Sequence, residues 1–441
     1  MTEERMFKRK IDDDLKRWKA MPNRPTLFVK GPRGCGKSTS IEAFAKENYK
    51  NVGILRFDSN PHYRQFFHEG LNSKMLNVFI STLCKKLKIV PGETLIIFDE
   101  LFDCPQVLAA LENLAGDPRF DMIATSSCYD MKRARNTPEV NAPHVAELRM
   151  YTMDFEEYLW AHSSLKFRWT PELTQSVREA MLQGKNIDSD LDQRLRDMYL
   201  RYALVGGFPS VVHDFVKYQS PASIPLHQRR AIEAIHKDLF TYVPVPEEAA
   251  KYTMLSLPPQ MAKNNRRFDQ ALLGDFSSVQ QCADVLTWME RSGYVKLAKP
   301  TVLPLDEHRL DTEVRAYMVD AGLFMQLSGM DHVRDLYNYR WQNIHPGYME
   351  NLTAALLNNR FRNFTYCNND AMNFNVPIVV HQIGEPAMMI DVKPCGGRRT
   401  MLERALATSP ATKARAVLFC DGPASIKNGI LKLPLYAAGL I

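Results

Sequence analysis

No stretch of this chain is apolar for long enough to cross a bilayer, and its first residues, Met1-Thr2-Glu3-Glu4-Arg5, are charged and lack an apolar signal core. The expectation is a cytoplasmic protein with no membrane partner. Paired cysteines are missing too. The eight present are scattered singly from Cys35 to Cys420, with no C-x-x-C pair and no zinc spacing. That excludes a disulfide framework or a thiolate metal site as the organising principle and points to reduced thiols. Charge of one sign is scarce: 56 Lys+Arg against 50 Asp+Glu leaves +6, which is no general argument for a polyanionic partner. Partners must therefore be read locally. With 45% hydrophobic and 24% charged residues the chain is globular, and 441 residues exceed one ordinary core, so two or three domains are expected.

What is present begins at Gly31-Pro32-Arg33-Gly34-Cys35-Gly36-Lys37-Ser38, which fits G-x-x-x-x-G-K-[ST] and is followed by Thr39. It lies between the apolar run Leu27-Phe28-Val29 and a helix-like stretch. In that context glycines let the backbone curl so that its N–H groups face the phosphates of a nucleotide, and the following helix adds its positive dipole end. Lys37 would neutralise the β- and γ-phosphates of that nucleotide, and Ser38 would give its hydroxyl to Mg2+. The plain alternative is a turn between a strand and a helix.

A second signal is Thr94-Leu95-Ile96-Ile97-Phe98-Asp99-Glu100, an apolar, β-branched run that ends in two carboxylates and reads as a buried parallel strand. Ligands bind at the carboxyl ends of such strands in open α/β sheets. There Asp99 could hold Mg2+ and Glu100 could polarise the attacking water, the alternative being an acidic cap for the next helix. Strands are expected at 26–30, 52–57, 94–98 and 122–125, and helices at 11–18, 38–49, 71–87 and 105–114. That alternation implies an α/β domain with a parallel sheet over residues 1–152. The polar strand end Thr125-Ser126-Ser127 could place a hydroxyl, that of Thr125, near the γ-phosphate, or simply cap a helix.

Several pieces in order carry a family resemblance: Phe7-Lys8-Arg9-Lys10-Ile11, Trp18, the phosphate loop, Asp99-Glu100-Leu101, Cys104-Pro105, Thr125-Ser126-Ser127 and the run Tyr151 to Leu159. They continue with Gly206-Gly207-Phe208-Pro209, Leu257 to Lys263, Met318-Val319-Asp320-Ala321-Gly322-Leu323 and Tyr348-Met349-Glu350-Asn351. In this order the chain resembles, over nearly its whole length, prokaryotic AAA-type P-loop ATPases that carry a C-terminal domain of unknown function. The resemblance implies ATP and Mg2+ as ligands. Relatives often have Gln where this chain has Phe102 and Gly where it has Ser126, which puts the tuning of hydrolysis in question.

Residues 153–330 are rich in helical periodicity and contain no second phosphate loop. Ser277-Ser278 would cap a run with Val279, Ala283, Leu286 and Met289 on its apolar side. Gly293 and the strand-like Tyr294-Val295-Lys296-Leu297 follow, a pattern that suits a winged-helix unit. Lys263, Arg266, Arg267, Arg229 and Arg230 could meet phosphates of DNA or form a solvated charged face.

Residues 331–441 are expected to form a small α/β domain of the restriction-endonuclease-like kind, with a helix at 348–357 and strands at 374–380 and 388–392. Asp391-Val392-Lys393 has the metal-and-lysine pattern of that fold, since alternation puts Asp391 and Lys393 on one face, and Glu350 would be a second metal ligand. Relatives often show Glu-Val-Asp-Phe where this chain reads Ala371-Met372-Asn373-Phe374. Asn373 removes a carboxylate from a site that hard cations need. Asp370 could compensate only from the opposite face of the strand. A degenerate, nuclease-like domain follows, with an ordinary surface strand as the plain reading.

AAA-type sites usually take an arginine from a neighbouring subunit or domain. Arg149, Arg133 and Arg135 follow the strand at 122–125, as does Lys132, and Arg33 lies in the loop itself. The expected function is Mg2+-dependent ATP hydrolysis by Lys37, Ser38, Asp99 and Glu100, coupled through the C-terminal domains to a nucleic acid or protein. Two alternatives stand: a nucleotide-gated switch with little turnover, and an ATP-regulated nuclease. A second copy of the chain is left open as a partner.

Overall fold

The computed structural model describes residues 7–60, 63, 78, 82, 87–101, 118–128, 145–163, 168–220, 223–301, 313–338, 340, 343–361, 363–369, 374–382, 385–393, 400–408 and 414–441. The expected helix at 105–114 lies outside them, as does that at 71–87 but for isolated positions. Outside them too are Phe102, Cys104, Lys132, Arg133, Arg135, Asp370 and Asn373. The chain forms two compact units, one of Met1–Thr152 with Thr241–Pro244 and one of Met153–Phe240 with Val245–Ile441.

The first unit holds β1 (Thr26–Lys30), β2 (Asn51–Arg56), β3 (Thr94–Asp99), β4 (Asp121–Ser126) and β5 (Val145–Arg149), ordered β2-β3-β4-β1-β5. Every neighbouring pair is parallel. Alternation along the strands loads both faces of the sheet. Leu27, Val29, Leu95, Ile97 and Ile123 join one core with Ile11, Leu15 and Trp18 of α1 (Ile11–Ala20) and Ile41 and Phe44 of α2 (Lys37–Asn48). Phe28, Ile96, Phe98, Met122 and Ala124 join Leu55 and Phe57 in the other. Burying Ile11, Leu15 and Trp18 contributes about 1.5–3 kcal/mol per side chain. Asp12, Asp13 and Asp14 in the first turn of α1 and Arg17 and Lys19 in its last suit the helix dipole.

β5 was not expected. Its sequence, VAELR, carries no apolar run because it lies at the sheet edge, where only one side of the ladder is occupied. Its neighbour is β1, so Met150 N–H donates to Lys30 O at 2.8 Å.

In the second unit the helices are α3 (Phe155–Ala161), α4 (Pro171–Leu182), α5 (Ser189–Val205), α6 (Pro209–Tyr218), α7 (Ile224–Tyr242), α8 (Glu247–Leu255) and α9 (Leu257–Met261). They continue with α10 (Val279–Arg291), α11 (Ala321–Ser328), α12 (Met330–Tyr337), α13 (Pro346–Asn358) and α14 (Thr400–Thr408). A two-stranded antiparallel ladder joins β6 (Val295–Ala298) to β8 (Arg315–Met318). A seven-stranded sheet has the order β13-β14-β12-β11-β10-β9-β7. Its strands are β7 (Pro300–Thr301), β9 (Phe364–Asn369), β10 (Phe374–Val380), β11 (Met388–Lys393), β12 (Arg415–Cys420), β13 (Ser425–Lys427) and β14 (Ile430–Pro434). Helix α14 lies between the parallel neighbours β11 and β12 in the chain. Residues on both sides of position 330 share this unit, because β7 pairs with β9.

Ser278 does cap α10, in a reciprocal box with Gln281. The buried face keeps Leu286 and Met289 of the expected side and adds Cys282, Val285 and Trp288, whereas Val279 is 71% exposed and Ala283 is also exposed. Both sets satisfy helical spacing, and the bulk of Trp288 decides between them.

Candidate functional site

The phosphate loop turns through Gly36, whose φ of 99° and ψ of 17° place it in the left-handed region just before α2 begins at Lys37. Gly31 is required for a different reason: a Cβ there would lie 1.8 Å from the carbonyl oxygen of Met150. A residue outside the motif holds the loop as well. Buried Arg9 donates from Nη1 to Cys35 O at 2.6 Å and from Nη2 to Tyr151 O at 2.9 Å. Cys35 is fully buried, and that burial pushes its thiol up despite the nearby Lys37 and Arg9 cations, so it is a packing residue of the loop.

Because β4 lies between β1 and β3, its polar end stands between the loop and the two carboxylates. Ser38 Oγ donates to Asp99 Oδ1 at 2.9 Å. Thr125 Oγ1 donates to the same oxygen at 2.7 Å and accepts from Glu100 N–H at 2.9 Å. Arg56 Nε lies 4.0 Å from Asp99 Oδ2. Glu100 has a positive φ of 60°, a conformation that non-glycine residues seldom adopt and that its bond to Thr125 helps to hold.

Ser127 meets the other two charged groups. Its N–H donates to Glu100 Oε2 at 2.9 Å, its hydroxyl donates to Glu100 Oε1, and that hydroxyl accepts from Lys37 Nζ at 2.7 Å. Lys37 Nζ also donates to Gly31 O at 2.9 Å and to Pro32 O at 3.0 Å, and lies 3.7 Å from Glu100 Oε1. Lys37, Ser38, Asp99, Glu100 and Thr125 are thus brought together. Thr39 is exposed in the first turn of α2, and within the loop Pro32 is buried, Arg33 half-buried and Gly34 exposed. Arg149 Nε pairs with Glu147 Oε1 at 3.1 Å on β5.

The chemistry of this donor set fits a triphosphate and its metal. A lysine and loop N–H groups suit phosphate oxygens, while a hydroxyl and a carboxylate sharing a hydrogen bond are hard oxygen ligands of the kind Mg2+ takes.

The C-terminal candidates are placed differently. Glu350 Oε1 accepts from Tyr317 Oη at 2.8 Å and lies 3.6 Å from Arg315 Nη1, and Glu350 Oε2 accepts from Arg266 Nη1. Arg315 is itself buried, donates to Asn375 Oδ1 at 2.8 Å and stacks over Tyr366. Asp391 accepts from Val392 N–H at 2.8 Å and has Lys393 Nζ 3.2 Å away, while burial pushes its carboxyl above the usual range. Among the described residues no three His, Cys, Asp or Glu side chains are grouped to hold a metal ion. Three of the five basic residues expected to face DNA are also engaged internally. Arg267 pairs with Glu313 at 2.9 Å, Lys263 donates to Gln260 Oε1 and Arg267 O, and Arg266 is committed to Glu350. Arg229 and Arg230 are exposed on α7.

The remaining sequence motifs meet as packing junctions. Asp320 accepts from Gly207 N–H at 2.9 Å and caps α11 at Leu323 N. Asn351 pairs with both the N–H and the carbonyl of Met318.

Residues 23–159 match the family model described as an AAA domain, and residues 196–334 match that of a domain of unknown function, DUF8612. The first match contains the loop, both carboxylates and β4. Among solved structures the chain is similar to a Walker-type ATPase of Pyrococcus abyssi, at 13% identity over 73% of this chain and 95% of that one, with a TM-score of 0.41. It is similar to the Aeropyrum pernix ORC2 protein in ADPNP–ADP complexes, at 11% identity over 78% and 99% with a TM-score of 0.34. The Aeropyrum pernix ORC1 protein in complex with DNA gives 10% identity over 75% and 90% and a TM-score of 0.31. No curated protein matches the chain.

Proposed function

We propose that the chain is a Mg2+-dependent ATPase of the AAA type whose nucleotide state is transmitted to the second unit and from there to a macromolecular target. The observation that carries this reading is the 2.9 Å bond between Ser38 Oγ and Asp99 Oδ1, which joins the phosphate loop to the acidic strand end. Ser38 and Asp99 would hold Mg2+, which supplies charge neutralisation on the phosphates. Lys37 binds the β- and γ-phosphates, Thr125 keeps Asp99 aimed at Ser38, and Glu100 orients the attacking water.

A nuclease role has little support in the charge network around Glu350, since both of its oxygens are taken by Arg266 and Tyr317. The internal pairing of Lys263, Arg266 and Arg267 favours a protein target over DNA at that surface.

The test is steady-state ATP turnover by the full chain with and without Mg2+, repeated with double-stranded DNA, single-stranded DNA and RNA. Turnover should require Mg2+ and fall at least about a hundredfold in Lys37→Ala and Glu100→Gln. Full turnover in Lys37→Ala would refute the site. Indifference to every polymer supports a protein target, and stimulation by one of them overturns that choice.

A further inference from the structure

We propose that Ser127 is a clasp: it ties Lys37 to Glu100 and so holds the two charged catalytic groups against each other until a polyphosphate draws the lysine away. This rests on the ATPase reading and assigns a means of regulation to the same site.

An ammonium group has three protons to give. Here all three are directed inward, to Gly31 O at 2.9 Å, Pro32 O at 3.0 Å and Ser127 Oγ at 2.7 Å. None is left for a phosphate without breaking one of these bonds. The bond to Ser127 differs from the other two because its hydroxyl passes the interaction on, accepting from Lys37 and donating to Glu100 Oε1. Ser127 N–H holds the second carboxylate oxygen at 2.9 Å. One residue therefore engages both oxygens that Glu100 has for a water molecule. Each bond in such a chain polarises the next, and the setting is a dry one, with Lys37, Ser127 and Glu100 all buried.

The backbone agrees with a loaded arrangement. Glu100 sits at a φ of 60° and is held there by Thr125, so the carboxylate is kept within reach of Ser127 at a conformational cost. When a β-phosphate takes Lys37, the hydroxyl of Ser127 loses its cationic donor and its hold on Glu100 weakens. Binding is thereby linked to release of the water-orienting group. The clasp also works in the other direction: it opposes nucleotide binding by the free energy needed to open it.

Binding of a fluorescent ATP analogue, mant-ATP with Mg2+, to the full chain tests this. Ser127→Ala should tighten binding about three- to tenfold, because the cost of opening is gone. Mant-ADP should tighten alongside it, whereas mant-AMP, which has no β-phosphate for Lys37, should not change. Ser127→Thr, which keeps the hydroxyl, should restore the parent affinity. Glu100→Gln should also tighten binding, and Ser127→Ala should add nothing in that background, since the two changes remove one interaction. Unchanged or weaker binding in Ser127→Ala, or full additivity with Glu100→Gln, overturns the clasp while leaving the ATPase reading intact. If Ser127→Ala does not fold, Glu100→Gln alone decides, and the absence of tightening there overturns the clasp. Failure of the parent chain to bind mant-ATP, or binding indifferent to Lys37→Ala, refutes the ATPase reading itself.

Discussion

Ser38 and Thr125, from different elements, donate to one and the same oxygen, Oδ1 of Asp99, at 2.9 and 2.7 Å. The acidic end of β3 is thus oriented from both sides, by α2 and by β4, and its charge is presented to whatever the loop holds. Replacing Asp99 by Asn keeps the shape but removes the charge that a hard cation needs. The Mg2+ concentration for half-maximal ATP turnover should rise about tenfold or more. Thr125→Val should raise it less, because the carboxylate remains and only its aim is loosened. A magnesium titration of turnover in the three proteins checks the order.

Arg9 fastens the phosphate loop from outside the motif, through the carbonyls of Cys35 and Tyr151. Arg9→Ala leaves two carbonyls short of a charged donor and should cost about 2–4 kcal/mol in urea unfolding of the first unit. Arg9→Lys can reach one carbonyl in place of a forked pair and should recover only part of the loss.

Glu350, Arg315, Arg266 and Tyr317 form a charge network that ties α13 to β8 and to the segment after α9. Glu350→Ala would leave buried arginine charge uncompensated and should destabilise the protein by about 3–5 kcal/mol. With no nucleotide present, millimolar EDTA, Mg2+ or Mn2+ should leave the parent Tm where it is. A metal-dependent rise that disappears in Glu350→Gln would give Glu350 back to metal chemistry.

Acid should weaken the second unit by way of His162. Its Nδ1 donates to Tyr158 O at 2.9 Å, its buried Nε2 has no hydrogen-bond partner among the described residues, and burial holds the imidazole pKa below its usual value. A histidine with a depressed folded pKa stabilises the fold above the unfolded pKa of about 6.5, and that contribution is lost as pH falls towards the folded pKa. Burial and the neighbouring Arg266 act on His345 in the same sense. Tm should therefore decline from pH 7 to pH 5, and His162→Phe should make the decline shallower.

Much of the first unit was legible because its physics is local. An apolar run closed by Asp99 and Glu100 has one comfortable place in an α/β sheet, and the glycine pattern of the loop has one comfortable conformation. β5 was hidden by its edge position. Arg9 was hidden among Lys8 and Lys10, where nothing local shows that the middle cation turns inward. Thr125 drew attention as the end of the apolar run, yet Ser127, two residues on, is the one that meets Lys37. In the second unit the pattern of Asp391 and Lys393 was visible, whereas Glu350 finds Arg266 across 84 residues of chain. A pairing at that distance leaves no trace in spacing or periodicity.

The second unit closes on its own far end. Gly439 lies so near the start of α3 that a Cβ there would come 2.8 Å from Cβ of Phe155, and Arg178 of α4 donates to Leu440 O at 2.7 Å. During synthesis the five described strands of the first unit are available once residue 149 has been made. The second must hold α3 and α4 without their final neighbours until the ribosome reaches residues 439 and 440. A nascent chain will therefore pass through a long interval in which the sheet that carries the phosphate loop can form while the second unit still lacks its last packing partners.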